Sequence, residues 1–219
     1  MSVSAIHAAW VSADPDETVV CSSILGVIGN LAGSMDGSMA TEIVEGLRVR
    51  LRHFDLPAPL VPSAMHAVMK LDQVVAGTSS STVAKSTISF AGELLHVCEQ
   101  QLSIAARRGA GDDLDEFKVA RQLFTLGEAA IMCPERISQG QILVVEALIA
   151  AEGDGGVAET TAQPASVRAH AYLALGKLCL QRDDLAKKWV PAMARELAVC
   201  PDPAVRNNIV VIMSDLCVR

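Results

Sequence analysis

Aromatic residues are scarce in this chain: four Phe, two Trp and one Tyr among 219 residues, 3% in all. A surface that holds single strands by base stacking needs aromatic platforms, so the composition argues against that mode. Cysteines are present, but no two stand as CxxC: they are Cys21, Cys98, Cys133, Cys179, Cys200 and Cys217. That spacing fits neither a zinc site nor a disulfide framework and suits buried thiols in a reducing compartment. The five histidines, His7, His53, His66, His96 and His170, include no i, i+4 pair that would set two ligands on one helix face. Met1 to Trp10 carries no positive charge and no continuous apolar core, so no secretory signal is read there. No apolar run reaches the roughly 18 residues needed to span a bilayer. Runs of alternating apolar and polar residues, the mark of strands, are also missing. The expectation is an intracellular, soluble, all-α protein that touches no membrane.

Excess positive charge is lacking too. The net charge is −7, and it is unevenly spread. Residues 167–219 hold eight Lys/Arg against five Asp/Glu (+3), while residues 1–166 hold ten against twenty (−10). The acidic part gives no electrostatic footprint for nucleic acid, and the C-terminal part gives a modest one.

What the chain does have is a repeat. Setting Val167 on Val205 places Arg168 on Arg206, Leu173 on Val211, Gly176 on Ser214, Leu178 on Leu216 and Cys179 on Cys217. Between the two copies lies a third helical pattern, Asp184 to Val199, with Pro191 inside it. A period near 40 made of two helices marks a HEAT or armadillo array, in which each hairpin buries its apolar face against its neighbours. The expected fold class is therefore an α-solenoid of stacked helical hairpins.

The wording of the repeat is more specific than its period. Val167-Arg168-Ala169-His170-Ala171, Leu175-Gly176-Lys177-Leu178-Cys179, Leu185-Ala186-Lys187-Lys188, Arg195-Glu196-Leu197 and Val205-Arg206-Asn207-Asn208 resemble the D-type HEAT-repeat subunit of condensin. They are nearer the condensin II version than the condensin I version. Phe124 to Ala129 with Cys133-Pro134 agrees with the same family. The resemblance covers about the last hundred residues and implies a non-catalytic scaffold of mitotic chromosome condensation, in the nucleus on condensed chromosomes. It implies a kleisin and two structural-maintenance-of-chromosomes (SMC) ATPases as partners, and duplex DNA held without sequence specificity. Family members are many times longer, so a fragment is expected, with a final hairpin whose apolar face a further unit would cover. A general HEAT adaptor, such as a nuclear transport receptor or phosphatase scaffold, is the alternative.

In chain order, helical spacing predicts helices over 3–11, 17–32, 39–54, 63–75, 83–107, 116–132, 137–150 and 184–199, besides the two repeat helices. The turn Ala13-Asp14-Pro15-Asp16 and the breaks at Pro57, Pro59 and Pro62 separate them. Divergent repeats are expected over 1–110 and family-like repeats over 111–219, with an acidic glycine-rich insertion at 152–164 placed in a loop.

No catalytic, cofactor or metal site is read, and no small-molecule substrate. Gly26 to Gly33 superficially looks like a dinucleotide loop, but its glycines sit in a helical pattern with no strand before them. Gly77 to Ser86 lacks the glycine that must precede the lysine of a phosphate loop. No GxSxG elbow occurs. Asp112-Asp113 and Asp183-Asp184 fit helix capping. The polar positions that stand out are Arg168 and Arg206, which recur in register. One reading makes Asp202, Arg206, Asn207 and Asn208 a structural ladder between repeats, with Asp183 or Asp184 serving Arg168. The other makes Arg168, Lys187, Lys188, Arg195 and Arg206 a basic ridge that touches DNA phosphate or a protein partner.

Overall fold

A computed structural model describes residues 3–76, 80–107, 114–150 and 163–218, with backbone alone for Val3 and 80–88. Among the described residues there are ten α-helices and no strand. The chain falls into two compact units, 1–94 and 95–219. The sequence marks its change of texture at the glycine-acidic loop near 110, whereas the packing divides within a helix.

The first unit holds α1 (Val3–Ser12), α2 (Thr18–Leu31), α3 (Gly37–His53), α4 (Val61–Val75) and the start of α5 (Ser80–Arg107). Of the stretch Gly77 to Ser86, α5 begins at Ser80, ahead of the start at 83 expected from helical spacing, and Gly77 to Ser79 lies outside the described residues. The acidic turn before α2 is closed by Asp14, whose Oδ1 accepts from Asp16 N at 3.0 Å. In α3 the N-cap Asp36 accepts from Met39 N at 2.9 Å, and Arg50 and Arg52 place positive charge at the negative end of the helix. Its buried face, Ala40, Ile43, Val44, Leu47 and Leu51, follows the helical period and meets α4. Two arginines on α3 fasten its neighbours. Arg48 pairs with the buried Asp72 of α4 at 2.8 Å, and Arg52 grips Glu93 of α5 by two bonds of 2.7 and 3.0 Å. Both guanidinium groups lie over the Phe90 ring, 5.2 and 5.3 Å from its centre, where cation–π attraction adds to the pairs. The helix ends at Phe54, buried and in the left-handed region at φ 58°.

The second unit holds the rest of α5, then α6 (Glu116–Met132), α7 (Gln139–Ile149), α8 (Ala165–Gln181), α9 (Asp183–Val199) and α10 (Pro203–Val218). Asp115 caps α6 by accepting from Lys118 N at 2.9 Å. Ser138 and Gln141 form a reciprocal capping box on α7, and Asp202 caps α10. Pro191 sits within α9 without ending it. The insertion lies outside the described residues apart from Gln163 and Pro164.

α8 is the centre of this unit. It packs against α6 and α10, its counterparts in the repeat, and also against α7 and α9. Nine of its seventeen residues are buried, on more than one face. The approach of α10 depends on Gly176: a Cβ there would stand 2.6 Å from both Cγ1 and Cγ2 of Ile212. Ile212 is itself buried and β-branched, so it has little room to give. Gly127 of α6, in a Leu-Gly step like Leu175-Gly176, receives α8 closely as well, its Cβ position 2.6 Å from Lys177 Cδ. There the neighbour is a flexible stem.

Gly176→Ala should therefore lower stability, because overpacking of about 1–3 kcal/mol outweighs the roughly 1 kcal/mol that Ala gains in a helix. Gly46→Ala in α3, where nothing lies within 4 Å of the added methyl, should raise stability by up to about 1 kcal/mol. Thermal denaturation of the two variants checks the contrast, and a Gly176→Ala protein as stable as Gly46→Ala would contradict it.

Candidate partner interface

The eight polar positions singled out from the sequence all lie in the second unit, but they divide into two groups. Arg168 is tied inward, whereas Lys188 is paired but stays on the surface, its side chain 60% exposed. Arg168 donates from Nη2 to Glu196 Oε1 of α9 at 2.7 Å and from Nε to the carbonyl of Ile149, the last residue of α7, at 3.3 Å. Its side chain is 15% exposed and that of Glu196 is 23% exposed. Lys188 donates to Glu146 Oε1 of α7 at 2.6 Å, and Trp189 Nε1 donates to the same oxygen at 2.8 Å. Arg168 thus joins α8 to α7 and α9, and Lys188 with Trp189 joins α9 to α7.

Lys187, Arg195 and Arg206 are exposed, and none has an ion pair among the described residues. Lys188 and Arg195 stand seven residues apart and so share one exposed face of α9. Arg168 is thus spent on packing, while Lys187, Lys188, Arg195 and Arg206 lie on the surface, Lys188 already paired with Glu146.

The ladder also takes a different form. Asp202 Oδ1 accepts from Ala204 N and Val205 N, both at 2.9 Å, so its carboxylate serves the first turn of α10 rather than Arg206. A short side chain at the N-cap reaches the free amides two and three residues ahead before it can reach the residue four ahead. Asp184 pairs with Arg182 (Nε to Oδ1 3.0 Å) rather than with Arg168. The polar link that does cross between the repeat helices is Asn208, whose Nδ2 donates to Ala169 O of α8 at 2.9 Å. Asn207 is exposed. Glu196, Glu146 and Trp189 escape a reading of the sequence. Their spacing from their partners, 28, 42 and 43 residues, spans a hairpin and leaves no local pattern to read.

The repeat register exposes a second feature. Val167 and Val205 are both buried, as are Ala171 and Ile209, and Ala174 and Ile212. Those positions face inward in both helices. Tyr172, however, is 3% exposed where Val210 is 51% exposed, and the buried Gly176 and Cys179 correspond to the exposed Ser214 and Cys217. With Val211 and Val218 also exposed, α10 presents to solvent several positions whose counterparts in α8 are buried. Apolar positions opened in this way are candidates for an interaction site.

Among the described residues no group of three His, Cys, Asp or Glu is placed to hold a metal, and none of their helices is long and apolar enough to cross a membrane. Five cysteines are buried. Burial pushes the Cys133 thiol up to about 11 and the Cys179 thiol up to about 12, which opposes the thiolate form that nucleophilic chemistry needs.

Arg168→Ala should cost about 1.5–3 kcal/mol, the range for a hydrogen bond to a charged group, since Glu196 loses its partner. Arg206→Ala should leave stability within about 0.5 kcal/mol. Denaturant midpoints of the two variants check this, and equal effects would erase the distinction between tied and open cations.

The comparisons with known proteins agree with this architecture. The family described as "Condensin-2 complex subunit D3-like. HEAT repeats" matches residues 116–197. The chain is 33% identical over 216 residues to "Condensin-2 complex subunit D3-L" of Xenopus laevis, covering 90% of this chain and 14% of that protein. It is 33% identical over 218 residues to "Condensin-2 complex subunit D3" of Mus musculus, again covering 90% of this chain and 14% of that protein. It is 22% identical over 225 residues to "Condensin-2 complex subunit CAP-D3" of Arabidopsis thaliana, covering 90% of this chain and 17% of that protein. No solved structure matches significantly. The chain thus spans about a seventh of the length of the curated relatives it matches. α6 to α9, with their stacked hairpins and inward-tied polar groups, are HEAT repeats of the condensin-2 subunit D3-like family.

Proposed function

We propose that this chain is a non-catalytic HEAT scaffold segment of a condensin II-like complex, acting in mitotic chromosome condensation on nuclear, condensed chromosomes. Its task is to hold a kleisin and the SMC ATPases, which themselves hydrolyse ATP. The observation that supports this reading is similarity to condensin-2 D3 subunits along nine-tenths of the chain. The architecture is in keeping with it, since Arg168, Lys188 and Asn208 are spent on joining helices. The open face of α10 is suited to a further helical layer or a partner helix, and Lys187, Arg195 and Arg206 are suited to duplex phosphate. Interactions of that kind position a protein on DNA without reading sequence.

Tagging the gene product at its native locus and identifying what co-purifies from dividing cells tests the proposal. The expected result is a kleisin together with SMC ATPases. Transport factors or a phosphatase with no such ATPase would overturn it. For the DNA part, replacing Lys187, Arg195 and Arg206 by Ala should flatten the dependence of log K on log salt by about 0.9 for each phosphate that is no longer neutralised. An unchanged slope removes those residues from the DNA-binding face.

A further inference from the structure

α2 carries two apolar stripes, and only one of them is used. Cys21, Leu25 and Ile28 are buried, and the helix packs on α4 and α1. A second row, Val20, Ile24, Val27 and Leu31, advances in steps of four, three and four residues. That spacing is the a/d seam of a coiled coil, in which apolar residues recur every 3.5 residues on average. Here the seam stands partly open: Val20 is 47% exposed and Val27 39%, with Ile24 and Leu31 half-buried. A helix that is apolar on both sides is ordinarily covered on both. The seam is also free of charge. No Asp, Glu, Lys or Arg occurs over residues 18–35, the longest such run in the chain, and the flanking Glu17 and Asp36 lie outside α2.

We propose that this seam pairs α2 with the same helix of a second copy of the chain, antiparallel about a two-fold axis. Such an interface must be self-complementary, and the seam is. With the axis between Leu25 and Gly26, Val20 meets the copy's Leu31 and Ile24 meets the copy's Val27. Each of the four side chains then finds an apolar counterpart. Antiparallel packing also sets each helix dipole beside the opposite end of the other. Charge selects the occupant. Two copies of a chain of net charge −7 repel, and they approach most easily where no charge stands at the contact, as over residues 18–35. A charged partner would be desolvated against this row and gain no ion pair in return. Four side chains a copy fall well short of the roughly 20–30 residues a side of a standard interface. The pairing is therefore weak and concentration-dependent, with a Kd on the order of 0.1–1 mM. It goes beyond the condensin reading and does not depend on it.

Sedimentation velocity of the full chain, from about 10 μM to about 1 mM, tests the pairing. The weight-average mass should climb toward twice the monomer. It should climb more steeply in added salt, because the charges nearest the seam, Glu17 and Asp36, are acidic in both copies. Val27→Glu, at a position that is already part-exposed, should keep its melting midpoint and weaken the association at least about tenfold. Val211→Glu on α10 should leave the association unchanged. Cross-linking reads the arrangement. In a Cys217→Ser background, mild oxidation of mixed Val20→Cys and Leu31→Cys chains should give the mixed disulfide dimer. Val20→Cys alone should not cross-link, since its two copies stand about 16 Å apart along the paired helices. A mass that stays monomeric across the whole range would overturn the proposal. Association lost in Val211→Glu and kept in Val27→Glu would overturn it too, moving the contact to α10. Cross-linking of Val20→Cys with itself would overturn the antiparallel register.

Discussion

The close approach of α10 to α8 at Gly176 is the constraint on which the second unit rests. A helix buried on more than one face needs small residues where its neighbours cross. α8 supplies Ala169, Ala171, Ala174 and Gly176 among its buried positions. Large and small residues alternate around it, so Tyr172, Leu175 and Leu178 fill what the small ones leave. Interiors are close-packed enough that one methylene is felt, which is why Ile212 and Gly176 act as a pair. The first unit solves the same problem of holding helices together with charge. Arg48 and Arg52 of α3 reach α4 and α5, using the Phe90 ring as a common floor.

Polar groups in the second unit serve a similar structural purpose. Glu146 takes two donors from α9, and Arg168 gives two to its neighbours. Asn208 reaches a carbonyl of α8. Such links cost little side-chain entropy where the side chains are already partly buried, and they fix the offset between hairpins. What remains for partners is what these links do not use: exposed cations such as Lys187, Arg195 and Arg206, and the outer face of α10.

Most helices are legible in the sequence because their signals are local. Asp36, Asp115 and Ser138 stand where N-caps must, Pro62 opens α4, and the repeat offset aligns inward positions such as Val167 with Val205. The repeat also foretells the uncovered face of α10. Pairings across a hairpin are not legible. Nearness in sequence matches Arg168 to Asp183 or Asp184, whereas the helix geometry brings Glu196 to it from the far end of α9. Asp202 and Arg206 have the spacing of a pair, but capping satisfies the carboxylate first. The burial of Gln122 carries no sequence signal, since a glutamine in an amphipathic helix is ordinarily solvated. The family wording at 167–208 is legible because it is long and unlike that of other HEAT repeats, and the D3-like match over 116–197 agrees with it.

One measurement tests most directly the claim that stacking, not residue type, decides burial in the repeat. Cys179 and Cys217 hold the same repeat position, the first buried within α8 and the second exposed on α10. Burial, reinforced by the nearby charges of Asp184 and Glu146, pushes the Cys179 thiol up to about 12. A thiol whose folded pKa is raised leaves stability unchanged below the ordinary value near 9, and stability falls between that value and the folded one, where only the unfolded chain ionises. At neutral pH the folded state is therefore intact and Cys179 stays protonated. Maleimide labelling of the folded chain at pH 7, mapped by mass spectrometry, should modify Cys217 readily and Cys179 only after denaturation. Labelling of the two at equal rates in the folded chain would contradict the two-sided burial of α8.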